Sequence, residues 1–307
     1  MAIALDAVGP RPDRDYFYGW AAAFGLVAIW AGWVVVSRLG VQRTLTIYDI
    51  SALRFTVATL ATLPFVLKFW PRHLSTWQIL FLASGPGVPY TLLAFGGMQY
   101  APASHAGILV NGTLPVFAAV FGWFWLKDRP AAGKVIGMAI ILSGCIITGF
   151  DRASEGAAHN AWVGQLLFLG SAASLASYMV AAKRWGLTAM QALVAFPLTN
   201  VIWYLPLYYF ALPKAVALAP WSEIALQGLY QGLGPSVAGV LLFTMAIRRI
   251  GPTSTAAAMA LVPGVAALLA IPILSEWPSA YAWTGLALVS GGILLTAGWQ
   301  PFRRRRG

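Results

Sequence analysis

Apolar segments about twenty residues long follow one another through this chain with hardly a charge between them; "AAAFGLVAIWAGWVVV" and "VIGMAIILSGCIIT" are two. Such runs are the constraint that settles the class. Of 307 residues, 59% are hydrophobic and 9% charged, whereas a soluble domain carries about 25% charged residues. A surface so poor in charge cannot face water. A membrane-spanning helix needs about 20 mostly apolar residues, and an outer-membrane barrel would instead alternate apolar and polar positions over about ten. The runs are continuous, so the expected fold is an all-α integral membrane protein.

Breaks at charges, glycines and prolines divide the chain into ten candidate transmembrane helices: 18–37, 48–68, 77–97, 103–125, 132–150, 162–182, 188–211, 223–246, 253–274 and 280–299. Lys and Arg in the connections set the orientation. With the N-terminus cytoplasmic, the inside set is Arg11, Arg14, Lys68, Arg72, Lys127, Arg129, Lys134, Lys183, Arg184, Arg248, Arg249 and Arg303 to Arg306. The outside set is Arg38, Arg43, Arg152 and Lys214. That asymmetry places both termini inside. The formal net charge of +11 is then a topology signal that touches anionic lipid, and no nucleic-acid partner is expected. Tyr16, Tyr18, Trp70, Trp277 and Trp299 fall where aromatic interface belts lie. The one cysteine, Cys145, sits inside a span and excludes an intrachain disulfide. No cleavable signal peptide is evident at the acidic and basic start of the chain.

The chain also repeats itself. A shift of 148 lays Pro115 on Pro263, Asp128 on Glu276, Pro130 on Pro278, Gly137 on Gly285 and Gly144 on Gly292. Near the start a shift of 145 lays Gly19 on Gly164 and Arg38 on Lys183. The expected units are residues 1–150 and 151–307, five spans each. An odd number of spans makes the second copy begin on the opposite side, so the copies are inverted. Inverted repeats are a signature of secondary transporters, with the substrate near the midplane. Asp128 then ends span four inside, and Glu276 ends span nine outside.

Two five-span units with Arg54–Phe55 in span two, and "LP…LKDRP" or "VP…LSEWP" closing spans four and nine, resemble the drug/metabolite transporter superfamily. The resemblance covers almost the whole chain and is nearest to its EamA-type exporters. Pro115 and Pro263 match the family's helix-breaking prolines and Glu276 its usual acid; Asp128 departs from the more common Glu. Aromatic content makes the chain similar to the bacterial aromatic amino-acid exporters of that group. The resemblance implies an inner-membrane exporter with no cofactor.

Buried polar residues narrow the substrate, because charge inside a membrane is costly. Arg54 in span two and His105 near the outer end of span four are the candidate gate or coupling residues. For Arg54 the alternatives are a packing anchor held by Asp49 or a carbonyl, a part of the outer gate, and a contact for a substrate carboxylate. For His105 the bland alternative is a helix-end residue bonded to backbone or water. No acid falls in the middle of a span, which argues for facilitated export, with a proton-coupled exporter of drugs or other neutral metabolites as the alternative. A single Arg is too little for a phosphorylated substrate. A neutral or zwitterionic amino acid fits, its ammonium and side chain held by aromatic walls.

By depth, the candidate substrate-binding residues are Trp30, Trp33, Tyr90, Asn111, Thr113, Tyr178, Tyr230 and Ser236. Each aromatic among them has packing as its ordinary role. Helix breaks are expected at Pro86 and Pro89 in "GPGVPY", at Pro235 in "GLGPS", and at Pro115 and Pro263. Spans five and ten carry glycines suited to close packing within a monomer, a homodimer through them being the alternative. His73, His105 and His159 are scattered, and no metal-ligand set or catalytic constellation of an enzyme is visible.

Overall fold

The computed structural model describes residues 13–151 and 160–298. Arg11, Arg152, His159, Trp299 and Arg303 to Arg306, which entered the reading of topology and sites, lie outside the described residues. Every regular element among the described residues is helical. Eight helices are long and apolar enough to cross a membrane: α1 Arg14–Val41, α2 Ile47–Phe69, α3 Thr76–Tyr100, α4 Ala103–Leu126, α5 Ala132–Gly149, α6 Ala161–Trp185, α7 Ala189–Ala211 and α8 Trp221–Met259. Two shorter apolar helices follow, α9 Val262–Leu274 and α10 Ala280–Thr296.

Local chemistry explains where these helices begin. Thr46 opens α2 with a capping box in which its hydroxyl takes the Asp49 amide and Asp49 returns a bond to the Thr46 amide. Thr188 and Gln191 make the same box at the start of α7. α8 is 39 residues long, about 58 Å at 1.5 Å per residue, far beyond the ~30 Å of a hydrocarbon core. Its backbone turns at Gly251, where φ is 82°, a value open to glycine at little cost. The apolar run therefore divides at the "GP" that separates the predicted spans eight and nine.

The predicted breaks at 85–90 and 232–236 are both present. α3 loses helical form over 85–87, and α8 widens to a π-turn over Gly234–Ala238. The break in α3 leaves backbone groups without helical partners, and Asn200 on α7 supplies them. Its Oδ1 accepts from the Val88 amide at 2.9 Å and its Nδ2 donates to the Ala83 carbonyl at 3.0 Å. In α4 the distortion falls over Gly107–Asn111, again as a π-turn. Pro115, inside the helical stretch Gly112–Leu126, has no N–H for the Asn111 carbonyl, so the strain appears one turn before the proline.

Between lipid-facing helices there is little hydrophobic drive, and close backbone contact holds them together. α5 and α10 meet along such a seam. A Cβ built on Gly137 would stand 2.8 Å from the Gly292 carbonyl, and one on Gly144 would stand 2.9 Å from that of Gly285. These glycines are occupied inside one chain. α1 packs on the later half of α8 and on α9, and α6 packs on α3 and α4, leaving α2 between α7 and the start of α8.

Candidate functional site

Two polar assemblies stand out, one at an end of the helices and one in their middle. The first gathers around Glu276, which follows α9 across a short turn. Arg38, in the last turns of α1, donates through Nε to Glu276 Oε1 at 2.6 Å, and its Nη1 donates to the Met98 carbonyl. Glu276 Oε2 accepts from the Ala103 amide at 2.8 Å. A carboxylate at the first turn of α4 is favoured by the unpaired amides and by the helix dipole. One acid thus ties together the ends of α1 and α9 and the beginning of α4.

His105 stands two residues further along α4. Its Nε2 lies 3.1 Å from Asp151 Oδ2, with side chains 2% and 5% exposed. Ser279 Oγ donates to the same Asp151 oxygen at 2.5 Å, and Gln165 Nε2 lies 3.4 Å from His105 Nδ1. A cavity of about 40 Å³ runs between this pair and Glu276, room for a few waters. The expectation of a backbone or water partner for His105 is therefore corrected: its neighbour is a buried carboxylate. Asp151 gave no signal in the sequence because it lies just beyond an apolar run, where an acid is normally solvated.

Asp128 sits at the other end of α4, 24 helical residues or about 36 Å away. It pairs with Lys183 at 2.8 Å, and both side chains are about two-thirds exposed. The Lys183 hydrogen bond and charge hold its carboxyl below the ordinary carboxylate range. Both acids follow the same turn. Lys127 and Ser275, the described non-glycine residues with positive φ, adopt 58° and 56°. The amide of Asp128 bonds the Gly122 carbonyl and that of Glu276 the Ala270 carbonyl.

The second assembly is central and buried. Trp33 on α1 stacks on Tyr90 of α3 with ring centres 5.8 Å apart. The Ser51 and Thr91 hydroxyls, 3.3 Å apart, hold α2 against α3 in register and so bring Arg54 to the level of Tyr90. Arg54 is 7% exposed, and among the described residues its Nε and Nη1 have no hydrogen-bond partner; the indole N–H of Trp33 has none either. Pairing of Arg54 with Asp49 is overturned, since Asp49 is engaged by Thr46, the Tyr208 hydroxyl and the Ala215 amide.

The other predicted residues are spread around this centre. Trp30 stacks on Phe243 at 6.1 Å. Tyr230 donates to the Ile29 carbonyl at 2.9 Å and lies over Gly32. Tyr178 packs on Gly85 at the α3 break and meets Phe196 edge-on at 4.9 Å. Thr113 and Ser236 donate to the Leu109 and Gln231 carbonyls, bonds within their own helices. Asn111, half-buried, ends the π-turn of α4. Pro86 lies in the α3 break and Pro89 in the first turn after it, Pro235 lies in the α8 π-turn, and Pro263 occupies the first turn of α9, where a missing N–H costs nothing. Sequence reasoning missed Asn200, Gln227 and Gln231, all buried.

Apolar helices of spanning length, with helix breaks beside a buried polar centre, describe a multi-pass membrane protein. The chain belongs to the EamA-like transporter family, which matches it over residues 17–150 and 162–298; the family is one of transporters rather than enzymes. It is 26% identical over 296 residues to a protein named "Probable terminal-alkyne amino-acid exporter" from Streptantibioticus cattleyicolor, covering 93% of this chain and 95% of that one. It is 27% identical over 228 residues to "Uncharacterized transporter YwfM" of Bacillus subtilis (strain 168), covering 71% and 73%. A solved structure described as "Crystal structure of protein" shares the fold, with TM-score 0.60 and 19% identity over 93% of this chain and 96% of that chain.

Proposed function

We propose that the protein exports amino acids, aromatic and other neutral ones, or related small metabolites, across a bacterial inner membrane by alternating access. The working unit is ten spans in two inverted repeats, 1–150 and 151–307, with both termini cytoplasmic. Several observations support the inversion. Gly137 meets Gly292 and Gly144 meets Gly285, although the repeat equates Gly137 with Gly285 and Gly144 with Gly292; such a crossed contact is what two antiparallel copies make about a two-fold axis. The twin turns before Asp128 and Glu276 stand at opposite ends of α4. The family matches both halves, and a relative is named an amino-acid exporter.

The observation that carries the substrate class is Arg54. A guanidinium shut away from water without an anion is strongly disfavoured, so its position favours a visiting carboxylate. Phosphorylated substrates would call for more cations, and a cationic drug would be repelled. Trp33 and Tyr90 provide a flat wall for an aromatic or aliphatic side chain.

Proton coupling is the second reading, favoured by the His105–Asp151 pair on the cavity behind the Glu276 latch. Counterflow into liposomes holding the purified protein tests both. Vesicles preloaded with unlabelled amino acids should take up labelled Trp, Phe, Met or Thr saturably without any gradient if export is facilitative. Uphill accumulation driven by a pH gradient alone would establish coupling instead. No counterflow of any amino acid would refute the substrate claim.

A further inference from the structure

We infer that Gln231 is the ammonium-binding half of the substrate site, so that the protein selects α-amino acids over both the corresponding carboxylic acids and the corresponding amines. The inference rests on the reading of Arg54 as the carboxylate contact.

A directed relay of buried amides leads to this residue. Gln227, 1% exposed, donates Nε2 to the Val36 carbonyl of α1 at 2.8 Å. That fixes its Oε1 as an acceptor, and Gln231 donates Nε2 to it at 3.3 Å and to Ser37 Oγ at 3.0 Å. Gln231 is fully buried, and its own Oε1 is left with no hydrogen-bond partner among the described residues. The two amide dipoles point the same way, which strengthens the free oxygen as an acceptor. An unsatisfied carbonyl in a dry site costs free energy, and a donor that arrives with the substrate removes that cost.

Gln231 stands within about one helical turn of Arg54 in depth. α8 runs beside α2 with Gly228 against Leu53 and Val57, and Gly232 against Val57 and the Ala58 amide. This register puts Gln231 level with 57–58, one turn along α2 from Arg54. Ser37, which Gln231 bonds, is one turn from Trp33 on α1, and Trp33 stacks on Tyr90. Donors unsatisfied among the described residues, Arg54 Nε and Nη1 and the Trp33 indole, therefore lie within about one turn of an unsatisfied acceptor between α1, α2, α3 and α8. A single charge in that space would leave one side orphaned; the head of an α-amino acid satisfies both.

The test is competition against labelled phenylalanine in counterflow, using the full chain in liposomes. Competitors are phenylalanine, 3-phenylpropionate without the ammonium, and phenethylamine without the carboxylate. In the unaltered protein phenylalanine should compete at least ~10-fold better than either, the size expected for one hydrogen bond to a charged group. Gln231→Leu should weaken phenylalanine to parity with 3-phenylpropionate, while Gln231→Glu should gain competition by phenethylamine. If Gln231→Leu does not fold, Gln231→Asn, which withdraws the oxygen by one methylene, reads the same ratio. A Gln231 variant that keeps the unaltered ratio of phenylalanine to 3-phenylpropionate overturns the inference while leaving the exporter reading in place. Absence of phenylalanine counterflow in the unaltered protein overturns both.

Discussion

Replacing Glu276 with Gln should open the end of the protein that this acid closes. The carboxylate takes a 2.6 Å bond from Arg38 and a 2.8 Å bond from the Ala103 amide. A glutamine keeps one oxygen and turns an NH2 group toward the other donor, so one of these bonds becomes a donor facing a donor. Bonds to charged groups are worth about 1.5–3 kcal/mol, and the Arg38 and Glu276 side chains are only 15% and 19% exposed, so screening is partial. A loss of about 2 kcal/mol is the reasonable figure, which shifts the open-to-closed ratio about 30-fold. Ser104, 5% exposed and on the cavity behind the latch, reports the change. With Cys145 replaced by Ala, a cysteine at position 104 should react with a membrane-impermeant maleimide about 30-fold faster in Glu276→Gln, and Arg38→Gln should act in the same direction. Equal labelling rates with and without Glu276 would show that the latch does not hold this end shut.

Arg54→Met should abolish amino-acid counterflow yet raise the melting temperature in detergent, since it removes a buried charge whose Nε and Nη1 have no hydrogen-bond partner among the described residues; a lower melting temperature would mean the guanidinium is structural. Asn200→Ala should lower stability by about 3 kcal/mol, because two backbone groups at the α3 break lose their partners, and a denaturant titration would show it. The Asp128 carboxyl is held low by Lys183, so the pair's contribution is present above the ordinary carboxylate value of about 3.8 and fades as pH falls through the lower folded value. A difference in unfolding between Asp128→Asn and the unaltered protein should therefore be seen at pH 5–8 and shrink toward pH 3. If export is proton-coupled, His105→Asn should remove the response of uptake to a pH gradient while sparing gradient-free counterflow.

Hydropathy located the helices because span length and apolarity are local properties. The predicted 103–125, 132–150 and 188–211 match α4, α5 and α7 to within a residue. Gly and Pro marked the breaks in α3 and α8 for the same reason. The first span was drawn too short, at 18–37, because an exposed Asp15–Arg249 pair lets α1 run past the apolar stretch. The polar sites were less legible. His105 and Asp151 are 46 positions apart, Asn200 lies 112 from the amide it caps, and Gln231 lies 194 from Ser37. Such pairs are made by the packing of helices, and no local pattern announces them. Arg54 could be singled out as a buried charge, but its lack of a partner became visible only once Asp49 was seen to be engaged elsewhere.

The glycine seam between α5 and α10 has a consequence for engineering. If residues 1–150 and 151–307 are inverted copies, as proposed, the crossed Gly137–Gly292 and Gly144–Gly285 contacts are those that two five-helix chains inserted in opposite directions would make. Nothing at the seam requires the two halves to share one polypeptide. On the proposed inverted-repeat reading, the same line would hold two separate five-helix units together. Halves translated separately from this chain should find each other along the same backbone-to-backbone line.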